Sequence, residues 1–301
     1  MTELMHAMAE EVRRQAGEEN YYSVVTLEDP HPGDTLYHME RVDFRPGNPA
    51  HDSYSIAKSV AVTATGLLYD RGLLTMQDRL GTYLGDYLVP GTDPRWGQVT
   101  VDQLLRHRTG AREGVDFDVT NAHLWEDPEW LHTLFAIPIT GTPGQDFVYS
   151  DGSYYILGRL VEVLTGMDME TLLQREVFLP LGFHANAWSR DRNGHTVGGT
   201  GLYIRTEDMA KMGWLYLNRG LWGQRRIYSE AWSDIFLHAP TDRIRYGYAV
   251  TQGTGDLYMA GGMYGQGLCF DLRTRRVVAW HNFDPEGKTQ SLADAFMAFC
   301  R

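Results

Sequence analysis

One stretch of this sequence tightly limits what the chain can become. From residue 53 to 72 it runs Ser-Tyr-Ser55-Ile-Ala-Lys58-Ser-Val-Ala-Val-Thr-Ala-Thr-Gly-Leu-Leu-Tyr-Asp-Arg-Gly72. Small and apolar residues fill it without a polar stripe, which predicts a helix covered on most sides and stopped at Gly72. Lys58 falls inside this helix, although the chain has only two other lysines, Lys211 and Lys288. Ser55 stands three residues earlier, so one helical turn brings both side chains to the same face. A serine hydroxyl is a weak nucleophile and needs a nearby base. An amine stripped of water holds its proton less tightly and can serve as that base. At the start of a helix the serine's own N–H is free to hold an oxyanion. The plainer reading makes Ser55 an N-cap and sends the Lys58 ammonium to the surface.

Around this helix the pattern is mixed. Residues 3–16 carry Leu4, Met5, Met8 and Val12 at helical spacing. Tyr21 to Leu27 and Thr35 to Phe44 read as strands joined by the turn-rich 30–34, a hairpin. Thr100 to His107 predicts a helix with Thr100 as N-cap and Gln103 three residues on. Residues 111–145 read as irregular, with a short helix near 127–136. Ser153 to Thr165, Glu170 to Phe178 and Thr206 to Leu217 read as helices, the last with Thr206 as its cap. Gly198 to Gly201 is a tight turn. Tyr246–Thr251, Leu257–Ala260, Gln266–Asp271 and Arg276–Asn282 read as strands, and Leu292 to Cys300 as a closing helix. The expected class is α+β. The expected division is a discontinuous sheet domain, 1–75 with 195–301, and a mainly helical domain, 76–194.

Composition excludes some roles. At 301 residues the chain is long enough for a sizeable core. A net charge of −12 disfavours nucleic acid and anionic membrane surfaces as partners. No run approaches the length of a spanning helix, and the acidic first residues lack the form of a signal peptide, so the cytoplasm is the expected compartment. Cys269 and Cys300 are the only cysteines and read as two buried thiols. His195 and His281 have no carboxylate or cysteine at ligand spacing, so no metal site is read and no cofactor is implied. Oligomeric state leaves no mark on the sequence.

Several further segments, in order, resemble the β-lactamase-like serine hydrolases, a group that includes class C β-lactamases, D-amino-acid peptidases and esterases. Ser55-Ile-Ala-Lys58 is similar to the first motif of that group. Residues 99–110, ending Leu-Leu-Arg-His107-Arg-Thr-Gly110, are similar to a second segment. Tyr149-Ser-Asp151 stands where the family has Tyr-x-Asn. Residues 199–210 and 218–227 resemble two more segments, and Gly262-Met-Tyr-Gly265-Gln266 the glycine-rich third motif.

The resemblance implies a β-lactamase/transpeptidase-like fold, an antiparallel sheet flanked by helices beside a mainly helical region. It implies Ser55 as nucleophile with Lys58, and Tyr149 as the third reacting group. A phenol beside a cation can shuttle a proton between nucleophile and leaving group. The Gln266 N–H next to Gly265 would be the second oxyanion donor. His107 is expected to be structural.

Two departures bear on substrate. Asp151 replaces the family asparagine, and an ionised carboxylate cannot donate to a substrate carbonyl. Met263 stands where lactamases and peptidases have Lys or His, which removes a cation for a substrate carboxylate; Arg243 and Arg245 are candidates to replace it. Trp125, Trp130 and Trp188 are candidates for an apolar acyl pocket or for ordinary packing. The expected activity is hydrolysis of a small ester through an acyl-enzyme. The alternatives are an amide hydrolase, β-lactamase or D-peptidase, an acyltransferase, and a binding module that has lost the chemistry.

Overall fold

The hairpin expected near the N-terminus forms the edge of the main sheet. The computed structural model describes residues 1–47, 49–117, 128–238 and 245–301. In chain order the first half contains α1 (Glu3–Arg14), β1 (Tyr21–Glu28), β2 (His38–Asp43), β3 (His51–Asp52), α2 (Ala57–Asp70), α3 (Leu80–Leu84), α4 (Val101–Leu105), α5 (Trp130–Ala136) and α6 (Asp151–Thr165). There follow α7 (Met169–Leu173), α8 (Leu179–Leu181), β4 (Asn186–Trp188), β5 (Leu202–Ile204), α9 (Thr206–Leu217), β6 (Leu221–Trp222), β7 (Arg225–Arg226) and α10 (Glu230–Phe236). The chain ends with β8 (Thr251–Gln252), β9 (Leu257–Gly261), β10 (Gly267–Asp271), β11 (Arg276–Asn282) and α11 (Ala293–Phe299).

Six strands make one antiparallel sheet in the order β2-β1-β11-β10-β9-β8. Alternation along each strand assigns its faces. Val24, Val278 and Trp280 pack with Leu4, Met8 and Phe296 of the two terminal helices. Val25, Leu27, Val277 and Ala279 point the other way, into a larger core shared with α2, α6 and α9. Because both faces are covered, β1 and β11 read as nearly continuous apolar runs. The α+β class expected from the sequence is the class observed. Among the described residues no helix is long and apolar enough to cross a membrane.

The helix carrying Lys58 is buried along its length from Ala57 to Leu68. It packs chiefly on α6, α7 and α10. Two expectations fail locally. Thr206 does not cap α9: it is the first helical residue, and its hydroxyl lies 2.6 Å from Ser23 Oγ and 2.9 Å from His281 Nδ1. The strand expected at 246–251 shrinks to Thr251–Gln252, because Ala249 takes a left-handed conformation with φ 60°.

A second, small sheet holds the strand before the nucleophile. Its order is β3-β5-β4, with Asp52 opposite Tyr203 and His51 opposite Ile204. Strand β3 leads straight into a single 3-10 turn, Tyr54–Ile56, and then into α2.

Candidate active site

Ser55 sits in that turn, between the small sheet and the buried helix. Tyr54, just before it, adopts φ 47°, a left-handed conformation that costs a non-glycine residue energy. The turn is fixed on both sides. The Ser53 N–H donates to Leu202 O at 2.8 Å, and the Ser53 carbonyl accepts from Ile56 N–H at 3.1 Å. Below it, the buried Ser53 hydroxyl starts a polar chain: 3.3 Å to His281 Nε2, then His281 Nδ1 to Thr206, then Thr206 to Ser23. Burial, then the neighbouring His51, hold His281 well below the usual imidazole range, so it is neutral.

Lys58 is 0% exposed. The surface position of the plainer sequence reading is therefore not the one found. Its ammonium has one acceptor for each N–H: Ser55 Oγ at 3.0 Å, Gly199 O at 2.7 Å, and Asp151 Oδ1 in an ion pair. Gly199 is needed there, because a Cβ would come within 2.8 Å of the Asp151 backbone.

Asp151 opens α6, where a carboxylate suits the helix N-terminus. Its second oxygen accepts the Phe117 N–H at 3.1 Å. Tyr149, two residues earlier, lays its ring over Lys58 with 4.7 Å from Nζ to the ring centroid, and it is 38% exposed. Behind it lies buried His107, its ring centre 4.4 Å from that of Tyr149. His107 Nδ1 accepts the Ser150 N–H at 3.3 Å, which leaves Nε2 to donate to Tyr246 Oη at 3.2 Å. Burial, then the Lys58 charge, push this imidazole well below its usual range. Neutral and fully bonded, His107 fits the structural role expected for it.

A cavity of about 330 Å³ opens above Ser55 and Asp151. Tyr54 and Tyr264 meet edge to face in its wall, with ring centres 4.9 Å apart, and Phe117 and Tyr203 close other sides. Among the described residues no lysine, arginine or histidine lines it. Asp52 does line it; burial pushes its carboxyl up to about 6, against hydrogen bonds from the Tyr54 and Gly201 N–H groups and helped by the Asp151 charge.

The structure thus gathers Ser55, Lys58, Asp151 and Tyr149, but it puts Gly265 and Gln266 outside the cavity wall. Both lie in the turn between β9 and β10, where Gly265 has φ 91°. The Gln266 side chain turns inward, its Nε2 donating to Asn282 O and its Oε1 accepting the Tyr264 N–H. The turn reaches the cavity through Met263 and Tyr264 instead. Among the described residues neither the Ser55 N–H nor the Met263 N–H has a protein acceptor.

Of the aromatic candidates, Trp130 packs against Phe117 behind the wall with ring centres 4.7 Å apart. Trp188 donates to Thr200 O, and neither tryptophan lines the cavity. Trp125 and Arg243 lie outside the described residues. Arg245 bonds to Gln252 and does not reach the cavity. His195 has a carboxylate partner that its sequence spacing did not reveal, with Nδ1 2.7 Å from Glu162 Oε2. The sequence reading missed Asp52, Phe117 and Tyr203. The only local signal was for Asp52, a carboxylate three residues before the serine.

Comparison with known proteins gives the family and the fold. A family model described as Beta-lactamase matches residues 45–297. Penicillin-binding protein 4 of Amycolatopsis lactamdurans is 30% identical over 135 residues, 44% of this chain and 34% of that protein. The chain spans from 18% to 58% of the length of the first curated relatives it matches. Among solved structures, an octameric penicillin-binding protein homologue from Pyrococcus abyssi superposes with TM-score 0.73 at 17% identity, covering 98% of this chain and 76% of that one. EstCE1, a hydrolase with promiscuous acyltransferase activity, gives TM-score 0.71 at 15% identity, with 97% of each chain covered. Both share the fold.

Proposed function

The chain belongs to the beta-lactamase family of serine hydrolases, and from that premise we propose that Ser55 is the nucleophile of an acyl-enzyme reaction on a small ester or simple amide. The observation that carries this reading is the Lys58 ammonium, 3.0 Å from Ser55 Oγ and covered by the Tyr149 ring. Ser55 Oγ attacks the substrate carbonyl carbon and gives up its proton. Tyr149 and Lys58 pass that proton to the departing oxygen or nitrogen as the scissile bond breaks. Water then adds to the acyl carbon and returns a proton to Ser55, releasing the acid.

The Ser55 and Met263 N–H groups, free of protein acceptors, are the proposed oxyanion donors. Met263 replaces Gln266 in this role because it stands in the cavity wall. A cavity that none of the described lysines, arginines or histidines lines suits substrates that lack the carboxylate of a β-lactam or a peptide C-terminus. A cytoplasmic location is proposed on the two buried, unbridged thiols.

The test is intact-protein mass after exposure to a fluorophosphonate. We expect one adduct on the wild type and none on Ser55→Ala. An unlabelled wild type that is folded, or an adduct that survives the substitution, would overturn the assignment.

A further inference from the structure

Besides Asp151, which pairs with Lys58, the carboxylate residues Asp52 and Asp116 line the cavity above Ser55. Asp52 ends β3, and its carboxylate accepts the Tyr54 N–H at 2.8 Å and the Gly201 N–H. Among the described residues it has no ion-pair partner. Lys58, the nearest cation by sequence, is already paired with Asp151. Asp52 faces Tyr203 across the β3–β5 pair, and such cross-strand neighbours place their side chains on one face. Tyr203 is 41% exposed and lines the cavity. Tyr54 and Tyr264 supply two more rings, and Asp116 a further carboxylate.

The sign of this wall sorts substrates. A substrate carboxylate would meet like charge. A neutral group would strip water from Asp52 and give nothing in return. A cation would compensate the desolvated carboxylate, and the tyrosine faces would add their own attraction for it.

We propose that the cavity takes substrates bearing an ammonium group, with Asp52 as its counter-ion, so that the reaction acts on amino esters or amino amides. This rests on the serine hydrolase reading above and narrows its substrate class. Asp52 is then a specificity-determining residue, and the ammonium binds without any covalent change.

The experiment compares matched methyl esters on the wild type, Asp52→Asn and Asp52→Glu. The pairs are leucine methyl ester against methyl 4-methylpentanoate, and methyl 6-aminohexanoate against methyl heptanoate. In the wild type we expect kcat/KM at least tenfold higher for the ammonium member of at least one pair. Asp52→Asn should bring that ratio to twofold or less, and Asp52→Glu should keep part of it, with thermal melts confirming folded protein. Wild-type ratios near one in both pairs, or a ratio unchanged in Asp52→Asn, would overturn the proposal.

If no ester is turned over and Ser55 resists the fluorophosphonate, the hydrolase reading fails separately. Calorimetric titration with hexylamine and with 1-hexanol then decides the cavity's preference. Tighter binding of the amine, weakened at least tenfold in Asp52→Asn, supports the ammonium site; equal binding of the two probes refutes it.

Discussion

Asp151 divides its carboxylate between two partners: one oxygen pairs with Lys58 Nζ and the other takes the Phe117 N–H. One side chain thus compensates the buried ammonium and ties the 111–117 segment to the start of α6. Removing it leaves a buried charge alone. Asp151→Ala should lower unfolding stability by about 3–5 kcal/mol, read from urea titration at neutral pH. A loss below about 1 kcal/mol would mean that water or another group compensates Lys58.

The turn at Gly199 offers a steric test. In Gly199→Ala the new Cβ would press on the Asp151 backbone at 2.8 Å, and backbone cannot yield as a flexible side chain does. Overpacking of this kind costs about 1–3 kcal/mol. The carbonyl that accepts from Lys58 would also shift, so fluorophosphonate labelling of Ser55 should slow by about tenfold or more. Wild-type labelling by a folded variant would show that Gly199 O does not help to place the lysine.

The polar chain beneath Ser53 should depend on the Thr206 hydroxyl. Thr206→Val keeps the shape but leaves His281 Nδ1 and Ser23 Oγ without that partner. The expected cost is about 1–3 kcal/mol, measured by thermal and urea unfolding. Thr206→Ser, which keeps the hydroxyl, should recover most of it.

Acid should weaken the fold through its two buried histidines. His107 and His281 are both held below the usual imidazole value, so the folded protein stays unprotonated where the unfolded chain takes up protons. Stability should therefore fall as pH drops below about 6.5, by up to about 1.4 kcal/mol per pH unit for each histidine. Asp52 works in the opposite direction. Its carboxyl is raised to about 6, so between its ordinary value of 3.8 and 6 the folded state binds the extra proton. The groups facing it are Asp151, Tyr54 and Tyr203, with the Tyr54 and Gly201 N–H donors. Unfolding of the wild type at pH 7.5, 6.5 and 5.5 should show the net decline, and a flat profile would contradict the neutral, buried state of both rings.

The same raised carboxyl predicts that Asp52→Asn is more stable than the wild type at pH 7.5, by about 1–3 kcal/mol. The difference should shrink as pH falls from 6 toward 3.8 and close below that, where Asp52 is protonated in both states. A variant less stable than the wild type at pH 7.5 would mean that the Tyr54 and Gly201 hydrogen bonds outweigh the burial.

What the sequence disclosed was mostly local. Ser55 and Lys58 were legible because three residues of helix fix their relation, and the Thr100–Gln103 capping box formed as read. Tyr149 and Asp151 came from a resemblance, and the fold brought both against Lys58. Asp52 offered only its nearness to Ser55 in sequence, since β3 has two residues and is set in place by pairing with the distant β5. Thr206 had the right residue type for a cap, but tertiary contacts with Ser23 and His281 claimed its hydroxyl. The placement of Gln266 missed for a related reason: strand pattern does not count the residues in a turn, and the turn meets the cavity at Met263 and Tyr264.

Tyr54 carries a consequence for redesign. Its left-handed backbone sets the position of Ser55, while its ring, edge-on to Tyr264, forms part of the cavity wall. Backbone and ring thus do separate jobs at one position. Asparagine or glycine tolerates that conformation better and removes the ring. Position 54 is therefore a place where the chamber can be enlarged for bulkier substrates while the serine keeps its station.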